Sequence, residues 1–414
     1  MKEGSTQLVV GGGFVGLCSA YFLAKAGCEV TVIDRDPSFR ESCSNRNAGM
    51  IVPSHFIPLA APGVVAQGLK WMFNPSSPFS FRPQLDPELW SWCWKFWRSS
   101  NQQHVDNSKE FLRDMAFESR ALFEVLSEEL GFTLEKRGLL MLCRSEAGMK
   151  EEAEVAKMAG MVGVDAEICG PERLRELDPE IRMDALGGVW FPQDCHLDSE
   201  EFLAALRRGI EGLGGKFRDE EVIDFRAGEG EVTHAMTSKG EEISADGFII
   251  SCGAWSKVLA RKMGVSLPLQ GGKGYSFTLP APVQMPRLCS LLKEGRVAVT
   301  PMGDSLRVAG TMEIGGNDLS INPRRLRSII DSFLRFFPEF KADDFEGLEP
   351  WSGLRPCSPD GLPYIGKLGE FPNVILATGH SMLGLSLGPV TGKLVSGLMM
   401  SGAELDSRLE PDRF

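Results

Sequence analysis

Gly11, Gly13 and Gly16 stand at the spacing of a phosphate-cradling turn, and an acid, Asp34, follows eighteen residues after the last of them. Those residue types suit a dinucleotide. The first glycine permits the tight turn, the second lets a pyrophosphate approach the backbone, and the third lets helix pack closely on strand. A helix starting there offers unpaired N–H groups to the phosphates, and Asp34 is placed to accept hydrogen bonds from a ribose diol. The same carboxylate repels a 2′-phosphate, which sets NADP aside and leaves NAD and FAD open.

Such a turn works only if regular elements hold it. Leu8-Val9-Val10 is a short β run before the glycines, and Leu17 to Ala26 places Ala20, Leu23 and Ala24 at helical spacing. Glu29 to Ile33 is a second β-branched run, ending at Asp34. Together they make a βαβ unit of about thirty residues. Two later stretches repeat the strand-into-glycine pattern: Phe248 to Ser256 around Gly253, and Asn373 to His380 around Gly379. The second leads through Gly384 and Gly388 into a helix from about Pro389. A reduced flavin carries negative charge near N1 and C2=O, which a helix N-terminus of this kind can stabilise. Further helices are expected over Ser108 to Leu130, Ala147 to Met161, after the Asp198 cap, and Asn322 to Phe337. Val222 to Ile250 and Gly272 to Gly310 read as strand-rich.

With 43% hydrophobic and 24% charged residues, the 414-residue chain is neither disordered nor a coiled coil and is long enough for two domains. A net charge of −12 with no Lys/Arg block speaks against nucleic acid. The ten cysteines show no CxxC and no CxH cluster, so neither a metal site nor a disulfide framework is expected, and reduced thiols in the cytoplasm are. The apolar run at Leu8 passes straight into glycines, leaving no room for a signal peptide. Val374 to Gly392 carries no charged side chain, yet its glycines and Pro389 break a spanning helix.

The chain resembles, nearly end to end, the FAD-dependent D-amino acid dehydrogenases of the D-amino acid oxidase/glycine oxidase superfamily. The residues that carry the resemblance begin with Gly11 to Gly16, Asp34, Asn47-Ala48-Gly49, Ala60-Ala61-Pro62-Gly63 and Lys70-Trp71-Met72-Phe73. They continue with Gly253-Ala254-Trp255-Ser256, Lys273-Gly274-Tyr275-Ser276, Trp351 to Pro356, Pro359-Asp360-Gly361 and Thr378-Gly379-His380. The resemblance implies non-covalent FAD and oxidation of an α-amino acid at Cα to an imine, which hydrolyses to a 2-oxo acid and ammonia. It also implies an α/β fold. A Rossmann-like FAD-binding domain with a parallel sheet would take residues 1–80, 145–260 and 350–414. A substrate domain with a mixed, largely antiparallel sheet would take 81–144 and 261–349.

Carried over residue by residue, the resemblance places Arg355 as a bidentate clamp on the substrate carboxylate. Tyr275 is either a second carboxylate contact or a buried structural tyrosine. The cofactor set it implies is Gly11, Gly13, Phe14, Val15, Gly16, Asp34, Arg35, Ser44, Asn45, Asn47, Ala48, Gly49 and Met50 from the first part of the chain. Val222, Cys252, Gly253, Trp255, Arg355, Gly379, His380, Met382, Leu383 and Gly384 complete it. His55 departs from the glycine-tyrosine pair associated with broad-specificity members, and tilts the substrate toward a cyclic D-imino acid such as D-proline or cis-4-hydroxy-D-proline. His55 and His380 are candidate pocket groups; Cys357 is read as a small packed residue.

Trp90, Trp94 and Trp97 recur at helical spacing, with Trp92 and Phe96 between them. Such a stripe is core, or an amphipathic patch that rests on a membrane where a quinone takes electrons. Electron transfer to a quinone or other carrier is the expected outcome. A glycine/sarcosine-type oxidase releasing hydrogen peroxide and a non-catalytic flavoprotein are the other two readings.

Overall fold

Strand Thr6–Val10 is apolar on both faces, as a strand sandwiched between two layers must be. In the computed structural model, which describes residues 1–36, 41–72 and 77–414, it lies within a six-stranded sheet. Its parallel neighbours are Gly247–Ile250 on one side and Glu29–Asp34 on the other. Phe371–Thr378 and Lys216–Asp219 extend the parallel run, and Tyr364–Leu368 adds one antiparallel edge.

Helix Phe14–Lys25 is buried almost all round because three other helices, Gln102–Leu130, Ser199–Gly212 and Gly388–Ser401, pack with it on one face of this sheet. The helices approach closely at Gly392, where a Cβ would come within 2.6 Å of the Cys18 backbone. Phe202 is the keystone of the layer, with the rings of Phe14, Phe123 and Phe132 at 5.7, 5.1 and 4.8 Å. The opposite face is covered by a three-stranded sheet (Val222–Gly228, Glu231–Thr237, Glu242–Ser244) and helix Ser256–Lys262.

The second large sheet has nine strands and is largely antiparallel. Gln270–Pro280 pairs over long runs with Ser305–Ile314, with one register shift between Lys273 and Tyr275, and with the edge strand Trp351–Cys357. Helix Pro323–Phe336, capped by Asn322, covers one face through Ile329, Phe333 and Phe336. The two sheets divide the chain at other points than the sequence boundaries do. Gln102–Leu130 packs with the helices of the parallel layer, because its stripe of Leu112, Met115, Phe123 and Leu126 matches their apolar faces. Leu139–Cys143, Glu167–Cys169, Gly187–Phe191 and Trp351–Cys357 belong to the mixed sheet.

Candidate active site

Four of the parallel strands end at one cavity of about 1100 Å³, which the mixed sheet closes from the other side. Gly11, Asp34, Cys252 and Thr378, each at or just beyond the C-terminal end of its strand, line it. This is where open α/β sheets bind ligands.

The phosphate end is made of main chain. Gly11 adopts φ +111°, and a Cβ there would lie 2.5 Å from the Ser251 carbonyl oxygen. A Cβ on Gly16 would sit 1.9 Å from the Gly11 carbonyl oxygen, so only glycine lets the helix start against the strand. Gly13 is the N-cap and carries no capping side chain; Ser44 Oγ accepts the Phe14 N–H at 3.1 Å instead. Gly13, Phe14 and Val15 of this first turn line the cavity, so the helix N-terminus opens on it, as a phosphate requires. Asp34 accepts from Gly12 N–H (2.5 Å) and Asp36 N–H (2.8 Å) and keeps lone pairs for a diol. Burial raises its pKa, opposed by those two donors. Beyond it, Arg35 stacks 4.6 Å over the Trp255 ring and pairs with Glu41 and Glu221, with Val222 and Gly253 completing that end.

The middle of the cavity is walled by Ala48, Met50, Leu383 and Gly384. Asn47 Oδ1 accepts the Gly49 N–H at 2.9 Å and so folds the 42–50 segment around the site. Arg307, 2% exposed, reaches from the mixed sheet to donate to the Asn47 carbonyl (3.2 Å) and to Glu200 (3.1 Å). The cavity, the glycines no Cβ could replace and the helix start at Gly13 fit an extended dinucleotide, which Ala48, Met50 and Leu383 would help to hold.

At the far end stands Arg355. Its Nη1 donates to the Thr311 carbonyl at 3.0 Å, and among the described residues no carboxylate pairs with it. Burial holds its pKa below the ordinary guanidinium range, with the Cys43 and Cys357 thiols nearby. The guanidinium fits because Gly274 on the adjacent strand has no side chain; a Cβ there would lie 2.1 Å from Nη1. Thr311 holds its carbonyl in place at φ +63°, a strained value for a β-branched residue.

Most sequence-derived residues line the cavity: Gly11, Gly13, Phe14, Val15, Asp34, Arg35, Ser44, Asn47, Ala48, Met50, Val222, Cys252, Gly253, Trp255, Arg355, His380, Met382, Leu383, Gly384 and His55. Gly16, Asn45, Gly49 and Gly379 do not; they shape the wall from behind. Asn45 accepts from Ser199 Oγ, and Gly49 and Gly379 turn at φ +70° and +80°.

Tyr275 lines the cavity beside Gly274 and Ser276, but among the described residues no contact joins it to Arg355. Its strand alternates, so Gly274 faces the guanidinium while the Tyr275 ring packs with Phe277 and Phe333 on the far face. Its hydroxyl donates to Glu313. The buried structural tyrosine is therefore the arrangement found. The His380 ring also turns away, with Nε2 2.9 Å from Thr391 Oγ1 in the last helix, and burial pushes its pKa down to about 3. Cys357 is fully buried, and its carbonyl accepts from Trp92 Nε1 at 2.9 Å. In helix Pro87–Ser99, Trp92 is buried whereas Trp90, Trp94 and Trp97 are each more than half exposed. Phe73 lies outside the described residues. Among those described, no helix is long and apolar enough to cross a membrane. Thr311 and Cys43 are not singled out in the sequence, and the Lys273-Gly274-Tyr275-Ser276 motif gives no sign that Gly274 makes room for the guanidinium; strand register reveals it.

The model of the family described as FAD dependent oxidoreductase matches residues 7–398. The D-amino acid dehydrogenase of Bradyrhizobium diazoefficiens is 32% identical over 98% of both chains. That of Sinorhizobium medicae is 34% identical over 98% of this chain and 97% of its own. Among solved structures, glycine oxidase from Geobacillus kaustophilus superposes over the whole of both chains with a TM-score of 0.78 at 22% identity, a likeness of fold.

Proposed function

The chain belongs to the FAD-dependent oxidoreductase family, and from that premise we propose that it oxidises a D-amino acid or cyclic D-imino acid at Cα, passing electrons to a quinone or another carrier. The observation that carries this reading is Arg355, an enclosed guanidinium with no acid partner among the described residues and N–H donors left for a planar anion. It holds the substrate carboxylate and thereby fixes which face of Cα is presented to the ring system. Bound FAD supplies the hydride acceptor, N5, for the Cα–H. The apolar wall of Met50, Leu383 and Ala309 keeps water from the reacting carbon. The nitrogen proton leaves to solvent, and the product is an imine that hydrolyses to a 2-oxo acid and ammonia when open-chain. The names of the two dehydrogenase relatives support the amino acid class.

The acceptor reading is supported by helix Pro87–Ser99. Its inner side sends Trp92, Cys93 and Phe96 to the cavity, while Trp94 and Trp97 meet at a tilt on its outer side, ring centroids 5.0 Å apart, with Leu85 exposed. An aromatic outer face linked to the site suits a peripheral position at the cytoplasmic side of a membrane, where a quinone diffuses. Anaerobic mixing with a panel of D- and L-amino acids, prolines included, tests the reaction: a D-member bleaches the flavin band near about 450 nm. Bleaching by L-members alone refutes the proposal, and stoichiometric peroxide in air refutes the carrier as acceptor.

A further inference from the structure

Beside the substrate end, a buried carboxylate, a hydroxyl and an imidazole form a chain. Asp194 is fully buried; its Oδ2 accepts the Ser54 hydroxyl at 2.5 Å, and its Oδ1 accepts the Ser54 N–H at 3.1 Å. Ser54 Oγ in turn lies 3.1 Å from His55 Nδ1. A serine hydroxyl has one proton. When that proton is committed to the carboxylate, the oxygen can only accept from the imidazole, so Nδ1 carries the hydrogen. Nε2 then presents a lone pair, and it has no partner among the described residues although His55 lines the cavity. Burial and the charge of Arg296 push the His55 pKa down to about 4, so the ring is neutral.

Arg296 also lines the cavity. A guanidinium there repels an ammonium, and the Nε2 lone pair repels a carboxylate. The group complementary to an acceptor beside a cationic donor is one that both donates and accepts. We propose that Asp194 and Ser54 are positioning residues that lock His55 as a hydrogen-bond acceptor, and that His55 with Arg296 recognises a hydroxyl on the side chain or ring of the substrate. This rests on the amino acid oxidation proposed above and narrows its substrate class.

The test compares kcat/KM for cis-4-hydroxy-D-proline against D-proline and for D-serine against D-alanine, with the FAD-loaded enzyme at about pH 8.5. There Asp194, its pKa raised to about 7 by burial against the opposing pull of Ser54 and Arg120, is a carboxylate. In the wild type the hydroxylated member of at least one pair is favoured by about tenfold or more. Ser54→Ala collapses that ratio and Ser54→Thr, which keeps the hydroxyl, restores it; a mere packing role would not follow this order. If Ser54→Ala does not fold, His55→Phe must collapse the same ratio. Turnover with no preference in either pair, or a preference that survives Ser54→Ala or His55→Phe, overturns the inference while leaving the oxidation intact. A yellow protein that turns over none of the four compounds overturns the oxidation reading itself, and this inference with it.

Discussion

At the phosphate end of the cavity the wall is main chain, drawn from Gly11 to Val15 and the turn at Ser251. At the substrate end it is side chains, Arg355 and His55, set against small residues such as Gly274 and Ala309. The first kind of wall tolerates no added atom, because carbonyl oxygens lie where a Cβ would go. The second depends on voids opposite a long side chain, so it can change specificity without disturbing the cofactor end. On the function proposed above, cofactor binding and substrate selection fall at opposite ends of one cavity.

Breaking the main-chain wall has the largest expected effect. Gly16→Ala drives a Cβ into the Gly11 carbonyl and costs about 3 kcal/mol or more of stability. The variant purifies colourless, read as the ratio of absorbance near about 450 nm to that of the protein; full flavin occupancy contradicts the account. Next comes Arg355→Ala, which lowers kcat/KM by about 2–5 kcal/mol of transition-state stabilisation while the protein stays yellow. Gly274→Ala sharpens the contrast: it displaces the guanidinium, raises KM about tenfold and also leaves flavin content unchanged. Loss of colour in either variant would join the two ends that the structure keeps apart.

Smaller effects come from the two residues that turn away. The His380 pKa is lowered from 6.5 to about 3, so between those values the unfolded chain binds a proton that the folded chain refuses. Stability from this group is present above about pH 6.5 and is lost as pH falls toward 3. His380→Gln should flatten the fall in urea midpoint between neutral and mildly acidic pH relative to wild type; parallel curves would contradict it. Tyr275→Phe leaves kcat/KM within about twofold and costs about 1 kcal/mol of stability by leaving Glu313 short of a donor. A larger kinetic loss would return Tyr275 to the site.

The contrast also explains what could be read from residue order. The nucleotide half announces itself locally, since turn, helix start and acid all fall between Gly11 and Asp34. Arg355 was legible only through the resemblance, because nothing around it distinguishes a clamp from an ion pair. The two readings open at Tyr275 have the same origin: it and Gly274 are neighbours in sequence but face opposite sides of one strand, and period-two alternation cannot be assigned a face without its partners. The apolar stripe over Ser108 to Leu130 identifies an amphipathic helix, yet its packing against other helices, not the mixed sheet, depends on which apolar face it meets.

Arg307 ties the segment around Asn47 to the mixed sheet through a cation sealed from solvent. Removing Glu200 would leave that guanidinium without its carboxylate in a dry interior, at a cost of about 3 kcal/mol or more. The 42–50 segment and the sheet that carries Arg355 are thereby stitched across their seam by one guanidinium.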